Sequence, residues 1–247
     1  MLITVPTLSI LTLSAFFTSI LGGTIGMGGG IIFVGILASF VEVTYVVPLH
    51  AALMIVSNGS RVVLFLQHIN LRIVGFYFLG LLPASMAGIY VFKLLPKDLI
   101  KLMIGMFILA AIFTPLKPAR TAIGDRAFVL VGMLAGFFGI FFGASGPITA
   151  PFYIRRGIIK ENFIATKAAC QILDHLVKVF LFGFIGINVL AYGDVIVYLS
   201  LAVILGTLIG KRLVKHLSEK AFVAIFKFVL IAIALRIIVQ QLYKFFS

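Results

Sequence analysis

Residues 164–187 read IATKAACQILDHLVKVFLFGFIGI, and their pattern decides the class of fold. The run is longer than the roughly 20 mostly apolar residues that an α-helix needs to cross a bilayer. A membrane β-barrel would use alternating segments of about ten residues instead. The polar side chains in the run are Lys167, Gln171, Asp174, His175 and Lys178. Their spacing places all five within about 100° of one helical face. A charge at mid-bilayer costs about 2.5–3.5 kcal/mol on insertion scales, so a stripe like this faces a bundle interior or a water-filled cavity.

The rest of the chain repeats the theme. Hydrophobic residues make up 62% of the 247, charged residues 11%, and the mean hydropathy is +1.25. A soluble globular chain carries about 25% charged residues, so the bilayer is the main solvent here. Eight apolar segments emerge, at about 7–39, 45–67, 72–92, 99–116, 127–154, 164–187, 192–210 and 221–243. No stretch is long or polar enough for a separate soluble domain, so residues 1–247 read as one all-α, polytopic membrane domain of about eight transmembrane helices. The N-terminal stretch lacks the basic start of a signal peptide and reads as an uncleaved first span. The net charge of +13 sits in short clusters between apolar runs, the mark of membrane orientation rather than of nucleic-acid binding. If each segment crosses once, ten Lys or Arg fall in the loops near 40–44, 93–101, 155–160 and 211–220, and five fall on the other side. The ten-residue side then faces the cytoplasm, with both termini outside.

The first and fifth segments each carry a glycine cluster, GGTIGMGGG at 22–30 and GIFFGASGP at 139–147. Glycine weakens a helix by about 1 kcal/mol per residue, so each cluster predicts a break. A single crossing with a broken helix is the preferred geometry, and a re-entrant hairpin is the alternative. The two clusters also mark an internal repeat, about 7–116 and 127–243. Gly22, Gly26 and Gly29 match Gly139, Gly143 and Gly146 at an offset of 117 residues. Ile69-Asn70, Gly88 and Lys93 match Ile187-Asn188, Gly206 and Lys211 at an offset of 118. The polar stripe recurs as well: His50, Met54, Ser57, Asn58 and Arg61 precede its five members by 117. Four crossings per half give repeats of the same orientation, whereas hairpins would invert them. Repeated halves with interrupted helices at matching positions point to a secondary transporter.

The charges on the stripes suggest the ligand. Lys167, Lys178 and Arg61 are opposed only by Asp174, and an uncompensated charge in low dielectric is costly. A small anion would neutralise the surplus, and a helix restarting after a glycine break presents free N–H groups to it. The candidate site therefore takes donors from Gly26, Gly28, Gly29, Gly30, Gly143, Ser145 and Gly146, and charge from Arg61, Lys167 and Lys178. Ser57, Asn58 and Gln171 would orient the anion. Asp174 and His175 are the candidate proton-linked pair, because Asp174 alone among seven acidic residues lies deep in a span. The single cysteine, Cys170, excludes an intrachain disulfide and a multi-cysteine metal site. No HExxH, GxSxG or paired carboxylate is present, so neither an enzyme nor a cofactor is called for.

A half that begins GGTIGMGGGIIFVGILASF and continues PLHAALMIVSNGSRVVLFL resembles the TauE/SafE family, also called the sulfite exporter or TSUP family. The likeness spans nearly the whole chain, although GASGP stands where a fuller glycine run is common. The resemblance implies a bacterial inner-membrane carrier that exports sulfite or small sulfonated organic anions, driven by the proton gradient. A passive anion channel would use the same positive stripe without coupling. A non-transporting scaffold would need docking loops, and the loops here are short.

Overall fold

The computed structural model describes residues 3–25, 29–113, 123–158, 160–213 and 219–246. Among them there are ten α-helices and no strand. In chain order these are α1 (Val5–Ile25), α2 (Gly29–Phe40), α3 (Val43–Leu64), α4 (Leu71–Leu94) and α5 (Lys97–Phe113), then α6 (Phe128–Phe142), α7 (Gly146–Arg155), α8 (Lys160–Phe184), α9 (Gly193–Leu213) and α10 (Glu219–Phe246). Among the described residues every apolar segment is represented by helix: the fifth is split into α6 and α7 at its glycine cluster, and the first supplies α1 and α2. Four stretches among the described residues are long and apolar enough to cross a membrane: Val43–Leu64, Leu71–Leu94, Asp125–Phe142 and Val189–Gly210. The matched asparagines do the same local work. Asn70 Oδ1 accepts from Ile73 N at 3.2 Å, and Asn188 Oδ1 accepts from Leu190 N at 3.0 Å, each capping the turn that starts there.

Contacts fix the direction of each helix. The His50 and His175 rings lie 5.7 Å apart, and Asn70 N donates to Thr166 Oγ1 at 3.0 Å, so α3 and α8 run antiparallel. The Asn70–Thr166 bond and the Phe92–Phe182 contact at 5.0 Å run α4 the same way as α8. Gly80 meets Val129 and Gly88 meets Phe137, so α6 also runs with α4. A Cβ on Gly80 or Gly132 would collide with the carbonyl of Val129 or Tyr77, and the missing side chains let the two backbones touch. The same device joins α1 to α9, where Gly206 and Gly210 abut the carbonyls of Phe16 and Ile20. α9 starts beside the start of α3, with Tyr45 and Tyr192 5.0 Å apart, and packs along it.

These directions overturn the single broken crossing. Phe128 at the start of α6 stacks edge-on against Tyr153 near the end of α7, at 4.9 Å. Tyr153 also meets Phe163 near the start of α8, at 5.9 Å. The chain therefore reverses at residues 143–145 and returns. α2 reverses relative to α1 in the same way: it folds antiparallel onto α3, with Gly30 O 3.0 Å from His50 Nε2, while α1 runs with α9 and α3. The second glycine cluster is thus the tip of a helical hairpin, and α1 and α2 run in opposite directions on either side of the first. The short legs, α2 with 12 residues and α7 with 10, extend only about 15–18 Å.

The loop assignment changes with the hairpins. Arg156 pairs with Asp125 at 2.6 Å, and Lys244 pairs with Asp98 at 2.8 Å. Each pair joins two connections that a one-crossing scheme puts on opposite faces. The burial pattern sets the layers. The α3 window is 61% buried and lies at the centre, whereas the Val189–Gly210 window is 28% buried and lies outside. Leu79, Met86 and Tyr90 of α4 and Leu201, Leu205 and Leu208 of α9 are exposed. Such a continuous apolar exterior suits lipid.

Candidate functional site

The antiparallel pair α3 and α8 brings the two polar stripes face to face, and the two hairpins close on them. Between them lies a cavity of about 40 Å³, with room for about three waters at about 10–15 Å³ each. α3 contributes His50, Met54, Ser57, Asn58 and Arg61, and α8 contributes Lys167, Gln171 and His175. Gly29, Gly30 and Ile31 come from the start of α2, Ala144, Gly146 and Pro147 from the second tip, and Thr18 and Ser19 from α1. Both short legs therefore begin at the cavity, where the first N–H groups of a helix have no intrahelical partner.

Arg61 is buried and its hydrogen bonds go to neutral groups. Nη1 donates to Asn58 Oδ1 at 3.0 Å and Nη2 to Ser57 Oγ at 3.1 Å. Asn58 is itself anchored through Nδ2 to Met54 O at 3.0 Å. Arg61 Nε has no partner, and among the described residues no carboxylate lies within ion-pair distance of the guanidinium. Across the cavity, the place that a Cβ on Gly146 would fill is 3.4 Å from Gln171 Nε2 and 3.7 Å from Lys167 Nζ. A glycine at that position leaves both side chains access to the start of α7.

Lys178 and Asp174 form a second, adjoining cluster. Lys178 Nζ donates to Asp174 Oδ2 at 2.8 Å and to Gly143 O at 3.0 Å, and Ser145 Oγ donates to Asp174 Oδ2 at 2.7 Å. All these groups are buried. The cluster clamps the second hairpin tip onto α8, and Gly143 holds a left-handed φ of +72° there, a conformation that favours glycine.

Eight residues of the sequence-derived site other than glycine-cluster members were expected to share one cavity with their glycines, and the structure divides them. Ser57, Asn58, Arg61, Lys167, Gln171 and His175 line the cavity with Gly29, Gly30 and Gly146. Gly143, Ser145, Asp174 and Lys178 belong to the clamp. Gly26 and Gly28 lie outside the described residues. The sequence reading assigned no role to His50, although it heads the first stripe at the position matching Lys167. Thr18 and Ser19 were missed altogether, since a hydroxyl in an apolar helix commonly bonds its own backbone, as Thr18 Oγ1 does to Ser14 O at 2.7 Å. Among the described residues no three His, Cys, Asp or Glu side chains converge as metal ligands.

Comparison with known proteins supplies the lineage. A probable sulfite/organosulfonate exporter, TauE, of Cupriavidus necator is 36% identical over 88 residues. That match covers 33% of this chain and 34% of the relative, about a third of the relative's length. No solved structure matches. The family model for the sulfite exporter TauE/SafE matches residues 11–237, nearly the full chain, and the protein belongs to that family.

Proposed function

We propose that this protein is a secondary carrier that exports sulfite or a small organosulfonate anion across a bacterial inner membrane, with a proton linked to the cycle. The family is one of exporters rather than enzymes, and the relative's name supplies the two anion classes. The observation that carries the reading is Arg61: a buried cation lining the cavity, held by neutral partners and, among the described residues, with no carboxylate at ion-pair distance. A buried charge is normally paired, and here a bound anion would be the partner. Gln171, Lys167 and the starts of α2 and α7 converge on the same space, which supports an anion held by side-chain and backbone donors together.

In this reading the two halves are inverted repeats. The matched helices α3 and α8 run antiparallel, α4 packs on α6 as α9 packs on α1, and the ten legs alternate in direction. Inverted repeats with interrupted elements at mid-membrane are the architecture of many secondary transporters. Of the two residues expected to handle the proton, His175 lines the cavity, whereas Asp174 is held by Lys178 and Ser145. We assign Asp174 to the clamp.

The test is uptake and efflux by proteoliposomes offered sulfite, sulfate, thiosulfate and sulfoacetate, with and without an imposed pH gradient. The proposal expects sulfite or an organosulfonate to be concentrated when the gradient is present, and Arg61→Met to lose it. Flux that never exceeds equilibration would indicate a channel instead, and no flux of any of the four anions would overturn the assignment.

A further inference from the structure

We propose that Met54 selects which oxyanion the cavity takes; the inference rests on the anion-carrier reading above. Met54 admits an anion with three oxygens and one face that accepts no hydrogen bond, such as sulfite or an organosulfonate, and rejects the four oxygens of sulfate. The two short legs meet the two stripes in the same way. A Cβ on Gly30, near the start of α2, would lie 3.4 Å from both His50 Nε2 and Met54 Sδ. A Cβ on Gly146, at the start of α7, would lie 3.4 Å from Gln171 Nε2 and 3.7 Å from Lys167 Nζ. His50 matches Lys167 and Met54 matches Gln171 at the offset of 117. The two sides of the cavity are therefore built alike and furnished differently: where one presents an amide, the other presents a thioether.

The register of the two long helices sets these groups opposite each other. α3 and α8 run antiparallel from the His50–His175 contact. Four residues along each from that contact lie Met54 and Gln171, and equal rise per residue brings them level. Both line the cavity. On one side Gln171 offers the two N–H groups of its amide, and Arg61 adds a buried Nε without a partner. On the other side the Met54 thioether has no hydrogen to donate and accepts only weakly. An anion seated between them turns its oxygens to the donors and its remaining face to the sulfur of Met54. In sulfite that face is a lone pair on sulfur, and in an organosulfonate it is carbon; neither needs a donor. In sulfate it is a charged oxygen, which would give up water and gain no hydrogen bond in return. An apolar pocket rejects even one added hydroxyl by about a hundredfold. A methionine that merely filled a gap in the packing would have no such influence on the choice of anion.

The experiment titrates the full chain in detergent with sulfite, methanesulfonate and sulfate by calorimetry, without oxygen and at a pH where sulfite and sulfate are both dianions. The quantity read is the affinity for the better-bound three-oxygen anion divided by that for sulfate. Wild type is compared with Met54→Gln, which puts on α3 the amide that α8 carries at the matched position, and with Met54→Leu, which stays apolar. The ratio in wild type should be about a hundred, the discrimination an apolar pocket gives against one added oxygen. Met54→Gln should lower it by about tenfold or more, through tighter binding of sulfate to the added donor. Met54→Leu should keep the ratio, whatever its overall affinity. An unchanged ratio in Met54→Gln, or an equal fall in Met54→Leu, overturns the assignment. Where Met54→Gln fails to fold, Met54→Thr supplies a donor in a smaller side chain and carries the same expectation. Wild type that binds sulfate as tightly as the three-oxygen anions overturns the proposal without any variant. Wild type that binds none of the three anions overturns the carrier reading, and this inference with it.

Discussion

At the scale of single residues, Arg61 and Lys178 occupy matched positions on the two stripes but in opposite electrostatic states. Lys178 is neutralised by Asp174, and among the described residues Arg61 is not paired with a carboxylate. Removing one partner from a buried ion pair costs about 3–5 kcal/mol, while replacing both with apolar groups is often neutral. Lys178→Met should therefore lower the unfolding temperature in detergent markedly, and Asp174→Leu with Lys178→Met should recover most of it, as followed by circular dichroism. Arg61→Met should behave in the opposite way. In anion-free buffer the empty protein should be as stable as wild type or more so, while sulfite affinity falls tenfold or more, since a hydrogen bond to a charged group contributes about 1.5–3 kcal/mol. A large stability loss with unchanged affinity would make Arg61 structural. The stripes themselves were legible, because helical spacing alone aligns Lys167, Gln171, Asp174, His175 and Lys178. Their division into cavity and clamp was not. It depends on Ser145 Oγ reaching Asp174 from 29 residues away, and no local pattern encodes that contact.

At the scale of elements, the glycine clusters announced a break but not a reversal. Glycine permits both, and the choice falls to contacts made by distant residues: Phe128 on Tyr153, and Lys178 on the carbonyl of Gly143. Gly143 and Gly157 give a controlled test of how tightly the tip is built. Both have positive φ, +72° and +76°, which costs a non-glycine residue about 1–2 kcal/mol. A Cβ on Gly157 would meet nothing, whereas one on Gly143 would lie 2.9 Å from Val34 Cγ2. Gly143→Ala should thus be destabilised beyond Gly157→Ala and should also impair sulfite transport, with Gly157→Ala transporting normally. Equal unfolding temperatures for the two variants would mean that the tip gives way without penalty.

At the scale of the whole molecule, a sequence offset of 117 residues registers two copies but says nothing about their relative orientation, because an inverted copy and a parallel copy align equally well. The ion pairs supply the missing information. Arg156 with Asp125 gathers the α5–α6 and α7–α8 connections at one end, and His68 with Asn162 adds the α3–α4 connection. Glu42 with Lys97, and Asp98 with Lys244, gather the α2–α3 and α4–α5 connections and the end of α10 at the other. Recounted over the described residues, eight Lys or Arg (72, 126, 155, 156, 160, 211, 212 and 220) fall at the first end, and four (93, 97, 101 and 244) at the second. The two-to-one bias equals the ten to five of the one-crossing scheme but lies on the other set of connections, and it predicts that the first end faces the cytoplasm. Cysteine labelling separates the two schemes. In a Cys170→Ala background, Pro96→Cys should react with a membrane-impermeant maleimide added to intact cells. Gly124→Cys and Arg212→Cys should react only after permeabilisation. The one-crossing scheme agrees on residue 212 but predicts the reverse at 96 and 124, so labelling of residue 124 from outside, with residue 96 protected, would restore eight crossings and discard the hairpins.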